Sequence, residues 1–137
     1  DFSMWHFEYT SNADTDIVIE NSVAVKVVVM ARSQHGQPYI YALGNQTSTE
    51  NTSDVGTILG LGTAYWERTF FIAGNGLLVS RTFGTGNTIR SAGLAKVTYD
   101  TINTWKYEGI TYINKVIFNN NDSRFGNGTR ILVYKLA

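Results

Sequence analysis

Residues 67–82 read ERTFFIAGNGLLVSRT. Two apolar runs, Glu67–Ala73 and Leu77–Thr82, flank the Asn75-Gly76 pair. Asn-Gly between such runs is the strongest short-range hairpin signal, because a type I′ turn needs positive φ at both central residues and these two tolerate it. Any fold for this chain has to be built around that antiparallel pair. A helical alternative has no support. No window repeats apolar residues at i, i+3, i+4 and i+7 over three turns, and Ala, Leu, Glu and Lys do not cluster.

The remaining segments follow the same pattern of Val, Ile, Thr, Tyr and Phe runs broken by Gly and Asn. Met4–Tyr9, Asp16–Glu20, Val23–Ser33, Tyr39–Leu43, Gly93–Tyr99, Tyr112–Phe118 and Thr129–Lys135 read as strands. Val23–Ser33 is nearly all apolar, which predicts a central strand covered on both faces. Thr129–Lys135 is apolar on both faces to its end, so it belongs inside a sheet. Phe125-Gly126-Asn127-Gly128 and the preceding Asn-rich run make the turn into it. Residues 44–54, GNQTSTENTSD, read as a long exposed loop. Strands at this spacing predict an all-β, antiparallel β-sandwich of about eight strands. At 137 residues the chain is one domain, 1–137, with no linker and no repeat, and it reads as the C-terminal domain of a longer protein.

Eleven basic and eleven acidic residues are scattered along the chain. Nucleic acid demands clustered positive charge, and an anionic membrane surface does too, so neither is an expected partner. No apolar run is long enough for membrane insertion. The surface is drawn instead from 12 Asn and 16 Thr with Ser and Gly, a neutral, hydrogen-bonding mixture of the kind found on virions, on extracellular proteins and on sugar binders.

Catalytic chemistry finds no foothold. There is no cysteine, no Gly-x-Ser-x-Gly elbow, and only His6 and His35 to act as base. Glycosidases need paired carboxylates, and the spacing of Asp14, Asp16, Glu20, Asp54, Glu67, Asp100 and Glu108 selects no pair. Asp14-Thr15-Asp16 and Asn121-Asp122 are oxygen-rich but lack calcium-loop spacing, and Asx turns account for them. GTGNTI (84–89) and GLGTAY (60–65) lack the third glycine and the helix of a phosphate loop. The expectation is therefore a non-enzymatic domain with no metal and no cofactor. Four Asn-x-Ser/Thr sequons, at Asn45, Asn51, Asn121 and Asn127, carry little weight in so Asn- and Thr-rich a chain.

The last third contains WKYEGITYI (105–113), an apolar strand, and then FGNGTRILVYKL (125–136). This resembles the closing motif of phage virion and tail-associated β-sandwich domains, an aromatic-x-x-Gly-Ser/Thr-x-aliphatic-x-Leu-Tyr-Gly pattern. A Val-rich strand ending in Ala31-Arg32-Ser33, followed by a Tyr-rich strand, fits the same group. Lys135 stands where the group has glycine. The resemblance implies a jelly-roll-like sandwich that serves as a structural, host-attachment or carbohydrate-binding part of a virion. It also implies a homo-oligomer, with a trimer as the arrangement, and carries over no binding residue.

Eighteen aromatic residues are the remaining lead. Sugars lay their C–H faces on aromatic rings while Asn, Asp, Gln and Arg take the hydroxyls. Tyr65 and Trp66, read as lying at a turn in GTAYWERT (62–69), cannot both point inward. Tyr39 and Tyr41 share a strand face beside Asn45, and His35 lies in the turn SQHGQP (33–38). These six are the expected ligand residues for cell-surface carbohydrate, against core packing as the plainer account of strand aromatics. Trp105 and Tyr107 fit core packing better. The alternatives are a virion decoration domain without glycan binding, and a carbohydrate-binding module of a secreted or depolymerase enzyme.

Overall fold

A computed structural model of the chain describes residues 4–9, 15–33, 39–45, 61–90, 93–104, 109–119 and 129–137. Nine strands lie among them: β1 (Met4–Tyr9), β2 (Thr15–Ser22), β3 (Ala24–Ser33), β4 (Tyr39–Gly44), β5 (Leu61–Ile72), β6 (Leu78–Arg90), β7 (Gly93–Thr104), β8 (Ile113–Asn119) and β9 (Thr129–Lys135). They form two antiparallel sheets, a six-stranded one in the order β1-β9-β3-β5-β6-β7 and a three-stranded one in the order β2-β8-β4. The all-β, antiparallel two-sheet architecture is the one the strand spacing predicts.

A hairpin forms around the Asn-Gly pair, though not as a two-residue type I′ turn: the Gly76 amide donates to the Ala73 carbonyl at 3.1 Å, which makes Gly74 and Asn75 the central residues of a short 3-10 turn. Asn75 has φ 68° and Gly76 φ 74°, both in the left-handed region. The strands close on Ile72 opposite Leu78, with the Ala73 amide bonded to the Leu77 carbonyl at 2.8 Å. Past the turn, β5 and β6 run much further than the apolar runs suggest. Their register is unbroken from Ile72↔Leu78 to Leu61↔Ile89, and β6 continues against β7 from Val79↔Thr104 to Arg90↔Gly93. FGTG (83–86), beyond the run expected to end at Thr82, is therefore strand interior, as is the Tyr65-Trp66 pair. Glycine weakens a strand by its entropy, but ladder hydrogen bonds are made by backbone, and partners on both sides hold Gly84 and Gly86 in line. The same change lengthens β7 to Thr104 from the expected Tyr99.

Strand β3 is central, between β9 and β5. Val25, Val27 and Val29 point at the small sheet and are fully buried, each contributing about 1.5–3 kcal/mol by burial. They pack in one cluster with Phe70, Leu78, Ile131 and Val133 of the large sheet and Ala42, Ile113 and Val116 of the small one. The core thus sits between the sheets. Arg68 is buried on the same inner face, donating from Nε to the Thr82 hydroxyl at 2.6 Å with its guanidinium 5.7 Å from the Phe70 ring. The other face of β3 carries Lys26, Val28 and Met30. Coverage of both faces is thus uneven, since of these three only Val28 is buried.

Strand β9 lies between β1 and β3, as its two apolar faces require. The chain beyond it is fixed by backbone bonds: the Ala137 carbonyl accepts from Val23 at 2.7 Å, and the Leu136 amide donates to Ala24 at 2.9 Å. The expected turn at 125–128, His35, Asp14, Trp105, Tyr107 and the 44–54 loop beyond Asn45 lie outside the described residues.

Candidate functional site

Strands have a period of two, so the residues between the core positions form the outer face of the large sheet. Register then sets Leu132, Val28 and Glu67 in one row across β9, β3 and β5, with Tyr134 opposite Lys26 and Met30 opposite Tyr65. These side chains enclose a groove of about 640 Å³, within the ~300–1,000 Å³ typical of ligand sites. Val28, Met30, Leu132 and Leu136 give it apolar walls.

Its polar part is small and organised. Lys26 and Glu67 lie diagonally on β3 and β5, with Nζ 2.6 Å from the carboxylate. The Glu67 side chain is only 12 % exposed. Tyr65, 42 % exposed, stands on the β5 side of this pair, and Tyr134 stands on the β9 side. The hydrogen bond to Glu67 raises the Lys26 ammonium above its ordinary value, against the effect of burial. Burial, then the Glu67 charge, raises the Tyr65 hydroxyl.

Both groups hold their proton more tightly in the folded state than in the unfolded chain. Their contribution to stability is complete below about pH 10 and is lost as pH rises through the raised values. Urea midpoints measured from pH 8 to 11 are expected to fall at the alkaline end, and to fall less in Glu67→Gln. In that variant the Tyr65 ring titrates earlier than in the parent, yet later than an exposed tyrosine, because burial remains. An unchanged alkaline limb in Glu67→Gln would show that the three groups are not coupled.

Of the expected ligand residues, the groove contains Tyr65. Trp66 is the next residue of β5, opposite Val29 and Gly84. Tyr39 and Tyr41 belong to β4 in the other sheet, opposite Asn119 and Ile117. Asn45 has both ends of its amide engaged, donating to the Gly109 carbonyl at 3.0 Å and accepting from the Thr111 amide at 2.9 Å. It clamps the segment before β8. By backbone position Tyr65 and Trp66 belong to the large sheet, and Tyr39 and Tyr41 to the small one. Lys26, Glu67 and Tyr134 were not among the expected residues. Alternation sets Lys26 on the face opposite to Val25 and Val27, but only the pairing of β9 and β5 with β3 brings the three together.

Among the described residues no three acids or histidines are grouped to hold a metal ion. No protein-family model matches the chain, and no curated protein matches it.

Proposed function

We propose that this domain is a non-enzymatic attachment module that binds cell-surface saccharide in the groove on the outer face of the large sheet. The observation that carries the reading is the groove's make-up: apolar walls, two tyrosines and one ordered ion pair. A pyranose ring presents an apolar C–H face and a rim of hydroxyls. Tyr65 and Tyr134 meet the first, and Lys26 with Glu67 meets the second, as donor and acceptor in fixed positions. Among the described residues the groove lining holds a single carboxylate, Glu67, and a glycosidase pair needs two, which supports binding without cleavage.

The resemblance of the closing segment to virion domains supports a place on a phage particle, outside the cell. The nested pairing of β1 with β9 and β2 with β8 supports a jelly-roll reading of the sandwich. An open groove of this size binds weakly, and repetition of the domain in a homo-oligomer raises the effective affinity.

The test is a glycan array and whole-cell binding with the parent, Tyr65→Ala and Tyr134→Ala, each checked for folding. Each variant is expected to bind about tenfold less tightly, the equivalent of one ring contact of ~1.4 kcal/mol. Folded variants that bind as the parent does would sink the reading. A second reading, a structural virion decoration, draws on the exposure of Met30, Phe83, Ile102 and Leu136 on the outer face of the same sheet. It predicts no glycan or cell binding by the parent.

A further inference from the structure

Strand β7 ends the six-stranded sheet. Among the described residues it pairs only with β6, through twelve consecutive register pairs without a shift. Such an edge presents a row of unpaired backbone donors and acceptors. Proteins usually blunt one with a short strand, a bulge, a proline or clustered charge. β7 has none of these. It is 12 residues long, its register is regular, the chain's one proline is Pro38, and its charges are Lys96 and Asp100 alone.

The order of residues along β7, GLAKVTYDTINT, is self-complementary in charge and apolarity about Thr98. Lys96 and Asp100 lie equally far on either side, and so do Leu94 and Ile102. We infer that β7 pairs antiparallel with β7 of a second copy of this chain, on a two-fold axis through Thr98. In that register Lys96 stands opposite Asp100 of the other copy, Leu94 opposite Ile102, and Thr98 opposite itself. Centring the axis on Lys96 or on Asp100 would set like charges opposite each other, which destabilises a cross-strand pair. A slip of one residue would reverse the faces.

Among the described residues nothing else pairs with this edge, and its side chains suit the pairing. Thr98, Asp100, Ile102 and Thr104 are exposed, and Ile102 is 67 % exposed, an apolar side chain that the pairing would cover. Asp100 has Arg81 at 3.8 Å but keeps 65 % of its side chain open, room for a second cation. The interface is isologous and closes on itself, so it makes a dimer and not the trimer implied by the virion resemblance. It does not depend on the saccharide reading.

The chain has no cysteine, so one introduced residue reports the axis directly. Directly opposed residues in an antiparallel pair have Cα atoms about 4.5–5.5 Å apart, inside the disulfide range of about 4.4–6.8 Å. Thr98→Cys is expected to oxidise to a covalent dimer, and Thr104→Cys to remain uncrosslinked. Sedimentation of the parent is expected to give a dimer. Lys96→Asp and Asp100→Lys should each weaken it by roughly 10- to 100-fold. The double variant should dimerise again, and the two single variants mixed together should form a heterodimer. A monomeric or trimeric parent overturns the inference, as does a dimer that both single reversals leave intact. So does equal crosslinking at positions 98 and 104.

Discussion

Phe70→Ala is expected to lower the unfolding free energy by about 3–5 kcal/mol, the range for removing a buried aromatic from a packed core. Phe70 is fully buried on the inner face of β5, in the cluster with Val25, Leu78 and Ile113. Its ring also faces the Arg68 guanidinium at 5.7 Å, so the substitution leaves a void beside a buried charge. The next residue provides the control. Phe71 is 37 % exposed on the outer face, and Phe71→Ala is expected to cost under about 1 kcal/mol. Domains of this kind have about 5–15 kcal/mol of stability in total. The first loss is therefore a large fraction and the second is small. Denaturant titration decides it: the midpoint falls sharply for Phe70→Ala with the slope unchanged, and barely for Phe71→Ala. Equal shifts would mean that β5 is turned over relative to the core.

That contrast rests on alternation, the part of the fold most open to reading from the sequence. Alternation separates Phe70 from Phe71, but it does not say which face of β3, β5 or β9 meets the core: β3 and β9 are apolar on both faces, and on β5 Arg68 is buried while Phe71 is exposed. The Asn75-Gly76 turn was legible for a related reason, since its backbone requirement is local and only a few residue types meet it. What was not legible depends on partners. Residues 84–88, Gly-Thr-Gly-Asn-Thr, have the composition of a turn and are strand only because β5 and β7 flank them with continuous ladders. The groove was hidden in the same way. Tyr65 stands out by its bulk, but Lys26 and Tyr134 are 108 positions apart and become neighbours through the β3–β9 pairing alone. Asn45 shows the opposite error. Its place in a polar run suggested a free side chain, whereas both ends of its amide hold backbone 64 and 66 positions away.

Gly44, just before that asparagine, carries the second large effect. It reads as the first residue of an exposed loop, where alanine would be harmless. In the structure it is the last residue of β4, opposite Ile113 at an irregularity in the β4–β8 register. A Cβ placed there would overlap the Tyr112 carbonyl oxygen and lie 3.1 Å from the Ile113 Cα. Those neighbours are backbone, so no rotamer change relieves the overlap. Moving β8 aside instead would disturb Ile113, which is fully buried in the core. The end of β4 would have to leave β8, and the Asn45 clamp on Gly109 and Thr111 would go with it. Gly44→Ala is therefore expected to cost more than about 4 kcal/mol, in the class of substitution that unfolds marginal domains. Asn45→Ala removes only the two clamp bonds at an exposed site and is expected to cost about 1–2 kcal/mol. Thermal and denaturant unfolding of the two variants separates the causes. If Gly44→Ala is no worse than Asn45→Ala, the close approach of β4 to the Tyr112 carbonyl is not what fixes that corner of the sandwich.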